Sequence, residues 1–122
     1  MKNIFAIIFA TLAGVSTSLE AFINGELGKN TTALVATFIS LVVGTIFFFI
    51  NICLTGNLKT LASFNDINPK LLLGGVLGGL VIYFTVKSVP NLGVSKTLTL
   101  IVVSQMIVGF FIDSSFFTTW EN

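Results

Sequence analysis

The stretch GVSTSLEAFINGELGK, residues 14–29, places a carboxylate inside an apolar segment and follows it with glycines. The carboxylate is Glu20, and the dipeptide Asn24-Gly25 after it is typical of a turn. A charged side chain near mid-bilayer costs at least about 2.5 kcal/mol even on lenient insertion scales, so it normally faces away from lipid and serves a function. We therefore predict a membrane protein involved in transport, with Glu20 at its functional site.

The composition of the whole chain is that of an integral membrane protein. Of its 122 residues, 54% are hydrophobic and only 9% are charged, against about 25% charged in soluble domains. One crossing of the bilayer takes about 20 apolar residues, so four crossings use nearly the whole length as a single domain. A net charge of +1 provides no basic face for nucleic acid. The lipid bilayer is thus the expected partner.

Residue types that support catalysis or metal binding are scarce. The sequence has no histidine and a single cysteine, Cys53, within an apolar run. A zinc site or a disulfide framework is therefore not available from this chain. No acid is paired with a nucleophile at a usable spacing. We expect no enzymatic activity, no cofactor and no bound metal.

Apolar segments separated by turn residues predict an all-α bundle of four transmembrane helices. The helices are placed at about 4–23, 32–54, 70–89 and 95–117. The first ends at the Asn24-Gly25 turn, and a cluster of helix-breaking residues around Pro90 separates the third from the fourth. The polar stretch 55–69 predicts a surface loop.

Four polar side chains are candidates for binding a solute or a proton. Glu20 and Asn24 are four residues apart and share a face of the first helix. Gln105 lies near the middle of the fourth helix, and Tyr83 lies on the third. Gln105 can bond either a substrate or another helix, and Tyr83 can equally belong to the aromatic belt at the membrane interface. Trp120 fits an interfacial anchor.

Glycines in the third segment predict close helix packing. In LLLGGVLGGLVIYF, Gly74 and Gly78 are four residues apart, as are Gly75 and Gly79. Small residues at this spacing let two helix backbones approach closely in lipid. Gly44 gives the second helix a similar small face. The spacing does not say whether the partner helix belongs to the same chain.

The lysines are balanced across the predicted membrane topology. Four crossings place Lys2, Lys59 and Lys70 on one side and Lys29, Lys87 and Lys96 on the other. Orientation normally follows an excess of lysine and arginine in cytoplasmic loops. A balanced count is typical of a protein inserted in both orientations, and two antiparallel copies form an inverted repeat. We therefore expect a homodimer, with antiparallel pairing as one arrangement.

Four runs of this sequence together resemble a known family. They are GVSTSLEAFINGELGK (14–29), LVATFISLVVGT (34–45), LGGVLGGL (73–80) and SVPNLGVSKTLTLIVVSQMIVGFFID (88–113). Their order and spacing are similar to those of YdcZ-type inner-membrane exporters of the drug/metabolite transporter superfamily. Asn24, Gln105 and Asp113 stand where the family pattern has them. The resemblance implies a multi-pass bacterial inner-membrane protein that exports a small solute.

Two departures from the family pattern refine this expectation. Where the family usually has glutamine in the first helix, this chain has Glu20. In its position and type, Glu20 resembles the first-helix glutamate of small multidrug resistance proteins, which exchanges protons for cationic drugs. The similarity implies a proton-coupled exporter with Glu20 as the coupling carboxylate and cations among its candidate solutes. Family members usually continue into a further helix, so we interpret the chain as a short or truncated member. The alternative function is a non-transporting membrane protein that assembles with, or regulates, a larger membrane partner.

Overall fold

The computed structural model describes residues 2–63 and 69–121 of the chain. The elements are α1 (Lys2–Asn30), α2 (Ala33–Thr55), α3 (Leu58–Ala62), a 3₁₀ turn (Pro69–Leu72) and α4 (Leu73–Glu121). By length and composition, the helical segments Lys2–Asn30, Ala33–Thr55 and Pro69–Ser115 are suited to crossing a membrane. No strand occurs in the described ranges. The predicted all-α membrane fold is confirmed.

Capping residues bound α2 at both ends. Thr32 is extended at the N-terminus (φ −136°, ψ 166°), and its hydroxyl accepts a hydrogen bond from the backbone N–H of Val35 at 3.2 Å. Gly56 follows the last turn in the left-handed conformation, with φ of 79°, which favours glycine. These caps give α2 the range Ala33–Thr55, where the sequence predicted 32–54.

The first helix does not end where the sequence predicted. α1 continues through Asn24 and Gly25 to Asn30, so the prediction of a turn at this dipeptide was wrong. Both residues are buried against other helices instead of turning the chain. A glycine inside a helix is unfavourable by only about 0.5–1 kcal/mol relative to alanine, which packing contacts offset. The connection to α2 lies at Thr31 and Thr32.

A break inside α4 divides it into two arms. At Gly93 the backbone angles, φ 83° and ψ 166°, lie outside the helical region. Pro90, three residues earlier, has no N–H to donate to the helix, which weakens the preceding turn. We call residues 73–92 the first arm and residues 94–121 the second arm.

The predicted count of four membrane helices depends on how α4 is divided. Counted by continuous helix, the described residues contain three membrane-length segments, the third being Pro69–Ser115 with 47 residues. The predicted helices 70–89 and 95–117 correspond to the two arms. Part of the predicted loop, residues 64–68, and the side chain of Trp120 lie outside the described part of the structure.

The buried positions are few and mostly small. They comprise Gly25, the apolar residues Ala21, Ala36, Val86 and Val89 and the polar residues Asn24, Thr37 and Thr97. Small residues let helices approach closely in a membrane, where packing rather than water exclusion drives association. The large apolar side chains are exposed along the rest of α1, α2 and α4. This exposed apolar surface is suited to contact with lipid chains or with another membrane chain.

Candidate functional site

The first arm contacts α1 at two glycines. A Cβ built on Gly25 lies 2.9 Å from Cγ1 of Val89, and one built on Gly28 overlaps Cγ1 of Val86. Only glycine leaves room for the two valines in this arrangement. Sequence reasoning missed this contact, although the spacing of Ala21 and Gly25 is the small-residue signal that predicts such packing.

Asn24 belongs to the same packed region. Its side-chain Oδ1 accepts a hydrogen bond from the hydroxyl of Ser40 at 2.6 Å, which joins α1 to α2. Asn24 is only 5% exposed. A buried polar group is stable in the membrane interior when it has such a partner. In this structure the predicted solute-binding residue Asn24 therefore serves a contact between helices.

Glu20 lies one helical turn before Asn24, and its side chain is exposed in the single chain. It is about 9 Å along the helix axis from Glu26, which forms an ion pair with Lys29 at 3.3 Å near the polar end of α1. Glu20 thus lies inside the apolar span, where exposure of a carboxylate to lipid is unfavourable. The Glu20 carboxylate is therefore more stable with water or another protein surface beside it than with lipid.

Tyr83 is half-buried on the first arm. The ammonium of Lys87 lies 5.5 Å from the centroid of its ring, a cation–π contact. Phe84 contacts the same ring edge-on, with 5.6 Å between the centroids. These neighbours hold Tyr83 beside a positive charge, an environment that is also compatible with its interpretation as a residue of the membrane interface.

A crevice of about 280 Å³ lies between the two arms of α4. Its walls are mainly apolar and include Phe84 and Leu92 from the first arm and Ile101 from the second. Gln105 also lines it, whereas the other three candidates for solute binding do not. The structure therefore does not bring the four predicted polar residues together in this crevice.

Only one of the predicted packing glycines meets another helix in the described structure. A Cβ built on Gly79 lies 3.3 Å from Cδ1 of Leu41 on α2. Around Gly44, Gly74, Gly75 and Gly78 no described atom lies within 4 Å of the corresponding position apart from the chain neighbours and backbone of the same helix. The last three form an open glycine ridge on the first arm.

Fold and site together define a multi-pass α-helical membrane protein with a helix broken beside a crevice, an arrangement that many membrane carriers use. A family model, DMT_YdcZ, described as "Putative inner membrane exporter, YdcZ", matches residues 5–121. The chain belongs to this family, which confirms the resemblance seen in the sequence. It is accordingly a multi-pass inner-membrane protein of a transporter family. No match to a curated protein or to a solved structure was found.

Proposed function

We propose that this chain exports a small organic cation across the inner membrane in exchange for protons, with Glu20 as the coupling carboxylate. The proposal is carried by the family match over residues 5–121. The position of Glu20 inside α1, a helix long enough to cross the bilayer, supports the assignment of its role. An ionisable residue at such a depth is a functional candidate by default.

A carrier exchanges protons for cations when one carboxylate binds either a proton or a cation, but not both at once. Protonated Glu20 is neutral, and Glu20 paired with a cation is neutral as a pair. The empty site carries an unpaired charge, whose movement through an apolar interior is strongly unfavourable. The binding site therefore moves readily from one side of the membrane to the other when it holds a proton or a cation, and not when it is empty. An inward flow of protons then drives an outward flow of solute.

The proposed functional unit is a homodimer. Glu20 is exposed in the single chain, and the glycine ridge of Gly74, Gly75 and Gly78 is open to close contact. A second copy would supply protein against both surfaces. Antiparallel pairing, which the balanced lysines favour, would make the inverted repeat that alternating-access carriers commonly use.

The test is electrical current from purified protein in liposomes on a solid-supported membrane, after pulses of organic cations. We expect Glu20→Gln to lower the cation-evoked current at least about tenfold, because the amide cannot carry a proton or pair with a cation. Glu26→Gln is the matched control, since it makes the same change near the end of the same helix, where Glu26 pairs with Lys29. We expect it to retain the current.

The same experiment separates export from the non-transporting alternative, which the family description does not favour. Full current from folded Glu20→Gln would overturn the coupling role. The other outcome is that no cation evokes a current from the wild-type protein, and that Gly78→Leu abolishes the protein's function in cells while Glu20→Gln does not. That outcome would support a role in assembly with a larger partner.

A further inference from the structure

We propose that Gly44 of α2 sets the size of the cation that binds at Glu20, because this glycine leaves open the space opposite the carboxylate. The inference rests on the proposed export of organic cations. It adds to that function the residue that selects among cations of different size.

Two contacts fix the register of α1 against α2. The hydroxyl of Ser40 donates a hydrogen bond to Oδ1 of Asn24 at 2.6 Å. A Cβ built on Gly28 lies 3.9 Å from Cβ of Ala36. The two helices are antiparallel neighbours, because a connection of only two residues joins them. Four residues back along α1 therefore correspond to four residues forward along α2, as these contacts show.

The same register places Gly44 opposite Glu20. One further step of four residues, about 6 Å along the axis, leads from Asn24 to Glu20 on α1 and from Ser40 to Gly44 on α2. No described atom lies within 4 Å of a Cβ built on Gly44, apart from its chain neighbours and nearby backbone of α2. The groove between the helices is thus closed at Asn24 and Ser40 and open between Glu20 and Gly44. We call this space the opening.

The side chains around the opening indicate an apolar cation with one positive charge. Glu20 supplies a single carboxylate, and an ion pair in an apolar setting is favourable when the two charges match. Phe47 and Phe48 follow Gly44 by three and four residues, so they lie one turn further along the same side of α2. Both rings are exposed, and aromatic faces attract alkylammonium ions. An alkylammonium ion therefore fits the opening better than a strongly hydrated inorganic cation does.

A side chain at position 44 would occupy the opening without displacing another described residue. Alanine there also favours the helix more than glycine does. A wide cation needs the full opening to reach Glu20, whereas a narrow one needs only part of it. Substitution of Gly44 should therefore weaken the binding of wide cations first.

The experiment measures how well cations protect Glu20 from dicyclohexylcarbodiimide, which adds to a protonated carboxyl group. It uses the full chain in lipid nanodiscs at one pH, without a proton gradient, and mass spectrometry gives the labelled fraction of Glu20. The protecting cations are tetramethylammonium and tetrapropylammonium, which carry the same charge and differ in width. The concentration that halves the labelling is compared between variants.

We expect Gly44→Leu to raise this concentration at least about tenfold for tetrapropylammonium and less than about threefold for tetramethylammonium. Gly44→Ala should shift the same preference in the same direction by about threefold. Gly14→Leu is the matched control, because its Cβ position is also open and it lies about 120° around α1 from Glu20. It should stay within about twofold of wild type for both cations.

Three results would overturn the proposal. They are an equal rise for both cations in Gly44→Leu, no rise for the wider cation, and the same change of size preference in Gly14→Leu. Circular dichroism and gel filtration establish that each variant is folded, and Gly44→Ala keeps the test decisive if the leucine variant is not. If no cation protects Glu20 in the wild-type protein, the proposed export of cations fails together with this inference. Protection that is indifferent to position 44 overturns the inference alone.

Discussion

Two groups of glycines in this chain have opposite surroundings. Gly25 and Gly28 of α1 each pack against a valine of the first arm. Beside Gly74, Gly75 and Gly78 of that arm, by contrast, no described atom outside the helix's own backbone lies within 4 Å of a built Cβ. Each group includes a glycine at the four-residue spacing of small residues that permits close approach of helices, Gly25 with Ala21 and Gly78 with Gly74. The spacing therefore predicts a capacity for packing, while the partner depends on which helix lies alongside.

The largest effect should come from filling the closed site. We expect Gly28→Leu to lower the free energy of unfolding by about 3 kcal/mol or more, because even a methyl group there overlaps Val86. Gly14→Leu, on the same helix with nothing within 4 Å, is the control and should change little. Titration with sodium dodecyl sulfate, followed by circular dichroism, measures both. Equal stability of the two variants would contradict the packing of α1 on the first arm.

Substitution of Gly93 tests whether glycine is needed there for its backbone conformation rather than for lack of space. Gly93 has open space around it, yet its φ of 83° and ψ of 166° lie in a region that glycine alone occupies readily. We expect Gly93→Asn to destabilise the protein by about 1–3 kcal/mol. Gly56→Asn should cost less, because Asn tolerates the left-handed conformation that caps α2.

The outcome of that pair is read from the same unfolding titration. A larger loss of stability at Gly56 than at Gly93 would show that the break in α4 does not need glycine.

The sequence predicted the fold class well because composition and segment length suffice for it. Four apolar stretches separated by polar or helix-breaking residues indicate membrane helices whatever their partners, and Thr32 and Gly56 carry recognisable caps. The end of α1 was predicted wrongly because Asn24-Gly25 is a turn signal only when local preference decides. Here contacts with α2 and the first arm decide instead.

The candidate site was less accessible to sequence reasoning. An amide in an apolar helix marks Gln105 as a candidate, but the sequence carries no signal at Thr97, because threonine in a helix normally bonds the carbonyl four residues earlier. The Thr97 hydroxyl has no hydrogen-bond partner among the described residues, because the backbone angles of Gly93 turn that carbonyl away. Such a consequence of three-dimensional geometry is not encoded in residue type or spacing.

The open glycine ridge gives the next prediction. If a second copy covers it, Gly78→Leu should raise the dissociation constant of the dimer about tenfold, since the added side chain separates backbones that pack closely. Stability of the single chain should stay unchanged, because the position is open. Energy transfer between labelled copies in liposomes measures the dimer. An unchanged dissociation constant would assign the ridge to lipid and make the two glycine groups different in function as well as in surroundings.

The smallest effect should come from the polar bond beside the closed site. Asn24→Ala removes the acceptor of the Ser40 hydroxyl, and hydrogen bonds between membrane helices contribute about 0.6 kcal/mol on average. Ser40 can turn to the carbonyl four residues earlier, as Thr37 does with that of Ala33 at 2.8 Å, so the loss should stay below about 1.7 kcal/mol. Asn51→Ala, whose amide bonds within α2, is the control. A loss as large as that of Gly28→Leu would mean that the hydrogen bond, rather than the fit of glycine against valine, holds this end of the bundle together.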